Sequence, residues 1–383
     1  MSIFSKHIRT NNLPKIRKQS AFEFLDDSAW PIATYMRNIV SNWLEQFDYD
    51  NEFISKLKSK DNKQHYAAMF ELLVYRIILN SDRGIEKHPI TKTNKLPDYK
   101  LTGKGKNEDI YIECTLSSNS FTNAKEKSKS ESIEEIIDSL EYFPYWIGID
   151  IKCDSDRSLA KKKLISWITR TISSPEFMIV DNGQPIKADF SIDNWEIEFT
   201  FIKKGDKSIR KSLGFIMGGV KPIDSAKPIL TALKDKAPSK YGIDGNPYVI
   251  CLSTDDLFTK EECYFKALFG QSDPTRIYKE PNTNGFLLQN NIPVNTSVSA
   301  VVIFRNFDLF TLDTCSISVW HNPFAKNPIK HGLFPFTEYQ YENCDNELKR
   351  KTILKDEDIF NILKIDKTEY NVLMLKHKTI VED

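Results

Sequence analysis

Apolar residues recur at helical spacing in two stretches near the start of the 383-residue chain. Between residues 29 and 46 they repeat every three or four positions, which predicts a helix. Residues 65–80 (HYAAMFELLVYRIILN) are apolar nearly all round. Because such a helix has almost no polar face to turn toward water, we expect it to be buried between layers.

Beyond this second helix, short apolar runs typical of strands alternate with helical stretches. Strands are predicted at residues 97–101, 109–115, 145–152, 195–202 and 247–253, and two more within 297–320 (SVSAVVIF and CSISVW). Gly103 and Gly105 suit a hairpin turn between the first two strands. Helices are predicted near residues 132–141, 158–172, 224–237, 256–268 and 356–364. This alternation favours an α/β fold with a mixed central sheet flanked by helices.

The same pattern divides the chain into three parts. Residues 1–60 are expected to form a polar arm followed by a helix, and residues 61–335 an α/β domain with elaborations. Residues 336–383 are expected to form a charged tail with one short helix. Residues 117–132 are polar apart from one phenylalanine and one alanine, which predicts a mobile loop.

Composition narrows the class of protein only slightly. Basic and acidic residues number 53 each, so no net field draws the chain to nucleic acid, although a local basic groove is enough to bind a DNA backbone. No apolar stretch is long enough for a signal peptide or a membrane span, which predicts a soluble cytoplasmic protein. The six cysteines include no CxxC pair and the six histidines no zinc-ligand spacing, which indicates core thiols.

Three acidic residues carry the candidate chemistry. Glu71 lies in the middle of the predicted buried helix, Asp98 opens the first strand, and Glu113 lies near the end of the second. Alternation along the second strand turns Glu113 and Thr115 to the same face. A hairpin that pairs the two strands therefore brings Asp98 and Glu113 together on one surface.

Adjacent carboxylates indicate a metal site because they repel each other unless a cation neutralises them. Hard divalent ions such as Mg²⁺ take one or two protein carboxylates and complete their shell with water and substrate phosphate. Such an ion polarises a phosphorus centre and lowers the pKa of an attacking water. A lone buried carboxylate such as Glu71 is also costly, and a metal or a hydrogen-bonding partner offsets that cost.

Each acid has an ordinary interpretation when it is taken alone. Glu71 can be a buried carboxylate capped by an arginine or a tyrosine, and Asp98 a turn residue after Pro97. Glu113 can be a solvent-facing strand residue between Ile112 and Cys114. The order and spacing of the three acids together favour a shared function.

A helix with an internal glutamate, Pro-Asp opening a strand and Glu-x-Lys ending the next are the signature of the PD-(D/E)XK nuclease superfamily. Residues 65–115 resemble that signature, and residues 232–253 and 298–329 look like stretches of uncharacterised bacterial proteins in this group. The resemblance implies a restriction-endonuclease-like core with extra strands and helices. It would make Asp98 and Glu113 ligands of Mg²⁺ or Mn²⁺, with Glu71 as a third acid acting directly or through water.

The sequence departs from the signature at Thr115, where the superfamily usually has a lysine that orients the water and offsets negative charge near the phosphate. A threonine cannot supply that charge. Lys100 can take over the role from the Asp98 face, and Lys234 or Lys236 can do so if their helix packs near the site. Otherwise the activity has been lost and only the fold remains.

The function that follows from this resemblance is a Mg²⁺-dependent endonuclease that hydrolyses DNA, in bacterial restriction or phage defence. The protein would act as a homodimer or as a subunit of a defence system. The main alternative is a catalytically inactive nuclease-fold protein that binds DNA or protein. An RNA-directed nuclease or a toxin differs only in substrate, and the sequence contains no RNA-binding module to favour it.

Overall fold

The chain divides into a main unit, formed by residues 1–121 and 224–383, and an inserted unit, formed by residues 122–223. The computed structural model describes residues 3–15, 19–81, 83–103, 108–117, 132–140, 143–153, 155, 157, 159–175, 177, 184–205, 212–216, 225–243, 245–254, 259–270, 284–344, 347–355 and 357–382. The predicted single domain over 61–335 therefore differs from the structure, in which residues 122–223 form a unit with a sheet and core of their own.

The strands are, in chain order, β1 (Gly84–Lys87), β2 (Tyr99–Thr102), β3 (Ile110–Ser117), β4 (Tyr145–Cys153), β5 (Ile186–Ile192), β6 (Trp195–Lys203), β7 (Leu213–Ile216), β8 (Tyr248–Thr254), β9 (Leu288–Gln289), β10 (Ile292–Pro293), β11 (Val298–Arg305), β12 (Ser316–His321), β13 (Thr337–Cys344) and β14 (Glu347–Ile353). The helices are α1 (Ala21–Asp27), α2 (Pro31–Glu45), α3 (Asn51–Leu57), α4 (Asn62–Ile78), α5 (Lys161–Ile172), α6 (Ala226–Asp235), α7 (Glu261–Phe269), α8 (Ile359–Leu363) and α9 (Lys367–Glu382). A further helical segment covers residues 132–138.

The main unit is built on an eight-stranded mixed sheet with the order β1-β2-β3-β8-β11-β12-β13-β14. Strands β1, β2 and β3 form an antiparallel meander, and β3, β8 and β11 are parallel to one another. Every residue of β8 is buried, as expected for a central parallel strand that is covered on both faces. The predicted mixed sheet is therefore confirmed.

Helices cover both faces of this sheet, as the alternation of elements predicts. On one face, α2 and α4 pack with sheet residues that include Val249 and Cys251. On the other face, α6 and α7 pack with Ile250 and Leu252. Helix α4 begins after Asp61, whose side chain accepts a hydrogen bond from the backbone N–H of Lys63, and ten of its seventeen residues are buried. The buried helix predicted over 65–80 is confirmed.

Both ends of the chain differ from the predicted arm and tail. Ile3 and Phe4 are buried in the same core as α2 and α4, so these two residues of the predicted arm are packed into the main unit. Strands β13 and β14 extend the main sheet where a charged tail was expected. The prediction of a charged tail failed because the buried residues Tyr339 and Tyr341 alternate with polar residues. A strand with this alternation has many charged residues in its sequence although one of its faces is buried.

The inserted unit has a four-stranded sheet with the order β5-β6-β4-β7. Its core joins Ile147 of β4 and Phe199 of β6 with Leu164 and Ile168 of α5. The predicted strands at 145–152 and 195–202 and the helix at 158–172 are thus confirmed, but they do not belong to the main sheet. The predicted loop at 117–132 lies mostly outside the described residues.

Two smaller expectations concern membrane segments and thiols. Within the described part of the chain, no helix has the length and apolar character needed to cross a membrane. Among the described cysteines, the thiols of Cys114, Cys251, Cys263 and Cys315 are free. Cys251 is fully buried, whereas Cys153 is exposed, so only some of these thiols belong to a core.

Candidate metal centre

Asp98 and Glu113 face each other across the β2–β3 pair. Tyr99 pairs with Ile112 in the antiparallel register. The next residue along each strand, Asp98 on one and Glu113 on the other, is therefore also opposite its partner. The backbone N–H of Cys114 donates to Oδ2 of Asp98 at 2.6 Å, and the backbone N–H of Asp98 donates to Oε2 of Glu113 at 3.3 Å. Each carboxylate thus accepts a hydrogen bond from the backbone of the opposite strand, next to the other carboxylate. Strand alternation predicts that the two acids lie together in this way.

Glu71 reaches the same place from helix α4. The hydroxyl of Tyr99 donates to the backbone carbonyl of Glu71 at 2.9 Å, which ties the middle of α4 to strand β2. The Glu71 side chain is 16% exposed. Its Oε1 is buried and accepts no hydrogen bond from any residue that the structure describes. A buried carboxylate oxygen without a hydrogen bond is costly, and it is the group that a metal ion would satisfy.

His88 joins the two acids, although the sequence did not single it out. It follows β1 in the left-handed backbone region, with φ of 45°, and its backbone N–H donates to the carbonyl of Asp98 at 3.0 Å. Its Nε2 lies 3.8 Å from Oε1 of Glu71. Glu71, His88 and Asp98 each offer one ligand atom, and these three atoms lie within 4.8 Å of one another.

Glu113 is bound by two residues from the segment that follows helix α6. Nζ of Lys236 forms an ion pair with Oε1 of Glu113, and the hydroxyl of Tyr241 donates to the same oxygen at 2.8 Å. The hydroxyl of Tyr248, on β8, donates to the carbonyl of Lys236 at 2.9 Å and so fixes the backbone from which the lysine extends. Only 3% of the Glu113 side chain is exposed.

The structure separates the lysines and the threonine that were candidates for the basic role. Lys100 forms ion pairs with Glu86 at 2.9 Å and Asp109 at 3.5 Å, which hold its amine at the other end of the hairpin. Thr115 is half-buried on β3. Lys236 is the candidate that contacts one of the three acids.

Burial raises the pKa of all three acids, and repulsion by Asp98 adds to this effect for Glu71 and Glu113. Burial, followed by the charge of Asp98, raises the pKa of Glu71 to about 8. The same two causes raise the pKa of Glu113 to about 7, although Lys236 and Tyr241 oppose them. Burial also raises the pKa of Asp98, against the opposing charge of Lys236. Three carboxylates in this setting do not all ionise at neutral pH without a further cation.

Lys236 remains protonated in this environment. Burial acts to lower its pKa, but the charges of Glu113 and Asp98 outweigh burial and leave the pKa above its ordinary value. The group therefore supplies a positive charge and hydrogen-bond donors, and it does not serve as a general base at neutral pH.

The ligand set fits a divalent ion. Two ligands that are each about 2.1 Å from one ion lie roughly 3 to 4 Å apart, and the 3.8 Å between Glu71 Oε1 and His88 Nε2 falls in that range. Carboxylates suit Mg²⁺ and Mn²⁺, whereas an imidazole ligand shifts the preference toward transition metals. No known protein family, curated protein or solved structure matches this chain.

Proposed function

We propose that this chain is a divalent-metal-dependent phosphodiesterase that cleaves DNA. The observation that carries the proposal is the convergence of Glu71, His88 and Asp98, with a buried carboxylate oxygen that has no hydrogen-bond partner in the described structure. A protonated lysine on the neighbouring acid adds the cationic group that phosphoryl chemistry requires.

Each residue has a defined part in this proposal. Glu71, His88 and Asp98 would hold Mg²⁺ or Mn²⁺, and such an ion would polarise the phosphate and lower the pKa of a bound water. Glu113 positions the amine of Lys236 and, by accepting from the backbone N–H of Asp98, also orients the Asp98 strand. Lys236 offsets the negative charge that develops on the phosphate oxygens.

The surroundings of these residues also support a site that a ligand can reach from solvent. The side chains of His88 and Lys236 are 39% and 29% exposed, whereas the acids behind them are mostly buried. A ligand would thus reach the metal position and the amine from solvent. The antiparallel β1–β2–β3 meander, with β8 parallel to β3, agrees with the restriction-endonuclease-like core that the resemblance implies. DNA as the substrate, and a role in restriction or phage defence inside the cell, follow from that resemblance.

A second candidate is a nuclease-fold protein without activity that binds DNA or protein. It is favoured by Thr115 in place of the usual lysine and by the ion pair that already engages both Glu113 and Lys236. This candidate predicts no hydrolysis with any divalent ion. It also predicts that binding of DNA or protein does not change when Asp98 is replaced.

The test is cleavage of supercoiled plasmid and of linear DNA by the purified chain with Mg²⁺ or Mn²⁺. We expect nicking or cutting by the native protein and its loss in Asp98→Asn. A matched control is Glu86→Gln, which removes a carboxylate from the neighbouring strand β1 and should leave cleavage intact. Cleavage that survives Asp98→Asn, or no cleavage with either ion, would refute the proposed activity.

A further inference from the structure

A second cluster of metal-binding side chains lies elsewhere on the main sheet, between strands β12 and β13. His321 is the last residue of β12, and Glu338 is the second residue of β13. His331 belongs to the segment 322–336 that joins these two parallel strands. Strands β8 and β11 separate β12 from β3 in the sheet, so this cluster is distinct from the acidic centre on β2 and β3.

Both imidazoles contact the same carboxylate oxygen, Oε2 of Glu338. Nε2 of His321 and Nδ1 of His331 each lie 2.9 Å from Oε2 of Glu338. The two imidazole rings have their centroids 4.8 Å apart. One ligand atom from each residue lies within 4.8 Å of the other two. Glu338 and His321 are buried, whereas 59% of the His331 side chain is exposed.

We propose that His321, His331 and Glu338 bind a zinc-class transition metal ion. Two imidazoles and one carboxylate form a ligand set that suits Zn²⁺, with a fourth position for water. The exposed His331 leaves that position open to solvent. Ligands of a tetrahedral zinc ion lie about 3.3 Å apart, so the two 2.9 Å separations need to widen by only a few tenths of an ångström.

The remaining atoms of the cluster are arranged as outer partners of such an ion. Oε1 of Glu338 accepts from the backbone N–H of Gly332 at 2.6 Å and lies 3.3 Å from Nζ of Lys355, which leaves Oε2 to the ion. The side-chain nitrogen of Gln340 lies 2.8 Å from Nδ1 and 3.2 Å from Nε2 of His331, and it would have to give up the contact with Nδ1 if that atom held the ion.

The connection between the two strands shows what such an ion would join. Two parallel strands are usually joined by a crossover helix, but residues 322–336, all of which are described, contain neither helix nor strand. His331 lies within this irregular segment and is the ligand that the segment contributes. An ion shared with His321 and Glu338 would therefore fasten the connection to both strands.

The same contacts also form a hydrogen-bonded network, with the two imidazoles donating to Glu338, and the experiment separates the two interpretations. The full chain, produced without a histidine tag, is titrated with Zn²⁺ and with Co²⁺, whose absorption spectrum reports coordination by nitrogen and oxygen. We expect one zinc per chain in an Asp98→Asn background, where the acidic centre is disabled, so this result does not depend on nuclease activity.

His331→Asn is the decisive variant because 59% of the His331 side chain is exposed, so we expect the chain to fold with this change. We expect zinc affinity to fall by more than about 100-fold, since loss of even an outer partner costs about 10- to 100-fold. His7→Asn, which removes another half-exposed histidine, should leave the affinity unchanged. No zinc binding by the folded chain, or equal binding by His331→Asn, would show that the cluster is only a hydrogen-bonded network.

Discussion

Lys236 forms an ion pair with Glu113 from a position 123 residues further along the chain. The lysine follows helix α6, which packs on the face of the sheet that Glu113 occupies, and Tyr248 fixes its backbone. The amine of Lys236 therefore brings a positive charge to Glu113 from a different element of the fold, whereas Thr115 on strand β3 has no charge to supply. In the proposed site, this relationship would supply the basic group without a lysine two residues after Glu113.

Replacement of Lys236 by alanine tests this assignment. We expect cleavage to fall by about 100- to 1,000-fold, which is the usual effect of removing one group that stabilises transition-state charge. Lys236→Arg should retain part of the rate because it keeps the charge. Lys234→Ala removes an exposed lysine from the last turn of α6 and serves as the matched control. Equal rates for the two alanine variants would remove Lys236 from the site.

The choice of metal ion is expected to depend on His88. An imidazole ligand favours Mn²⁺ over Mg²⁺, whereas carboxylate and water accept both. We therefore expect His88→Asp to lower the ratio of the Mn²⁺-supported to the Mg²⁺-supported cleavage rate by about tenfold. His331→Asn, which alters the other cluster, should leave this ratio as it is. An unchanged ratio in His88→Asp would mean that His88 does not contact the ion.

Stability without metal should fall as the pH rises. Glu71 has an ordinary pKa of 4.5 and a folded pKa of about 8, so the native state binds more protons than the unfolded state between these values. The free energy of unfolding then decreases across that range, by up to about 5 kcal/mol at about 1.4 kcal/mol per pKa unit. Urea unfolding at about pH 5 and about pH 8.5 with a chelator measures the loss.

Two changes should reduce this loss if its cause is the repulsion among the acids. Added Mn²⁺ should stabilise the protein most at high pH, because the ion binds the deprotonated carboxylates. Glu71→Gln should flatten the dependence because it removes a carboxyl group whose pKa is raised to about 8 in the folded chain. If the free energy of unfolding still falls steeply with pH in Glu71→Gln, repulsion at Glu71 is not the cause of the loss.

Tyr241 is expected to tune Glu113. A hydrogen bond to a charged acceptor contributes about 1.5–3 kcal/mol, and the bond from Tyr241 acts to lower the pKa of Glu113. Tyr241→Phe should therefore destabilise the protein and move the acid limb of the pH–rate profile to higher pH. Tyr35→Phe, which changes a tyrosine on α2, should leave the profile in place. If Tyr241→Phe and Tyr35→Phe have the same pH–rate profile, Tyr241 does not set the pKa of Glu113.

Much of the main fold could be predicted from the spacing of apolar residues. The continuous apolar surface of α4 and the uninterrupted apolar run of β8 indicate burial directly, and both elements lie in the centre of the main unit. The inserted unit could not be recognised, because its strands have the same pattern as those of the main sheet. Pairing between strands depends on contacts that are distant in the sequence, and local periodicity contains no information about them.

The acidic half of the candidate site was accessible to sequence reasoning because Asp98 and Glu113 lie on adjacent strands, where alternation and register fix their relation. His88 was missed because it follows a strand in a left-handed conformation and approaches Asp98 through a backbone hydrogen bond. The cluster at Glu338 was missed for a similar reason. Its two histidines lie on a strand and in an irregular connection, and they have no recognisable spacing.

The most direct test of the central claim is a Mn²⁺ titration of the chain followed by electron paramagnetic resonance. Carried out in a His331→Asn background, it reports only on the centre formed by Glu71, His88 and Asp98. We predict that one ion binds, that Asp98→Asn and Glu71→Gln abolish this binding, and that Glu86→Gln retains it. If no Mn²⁺ binds, or if the ion binds equally well to Asp98→Asn, these residues are not a metal centre.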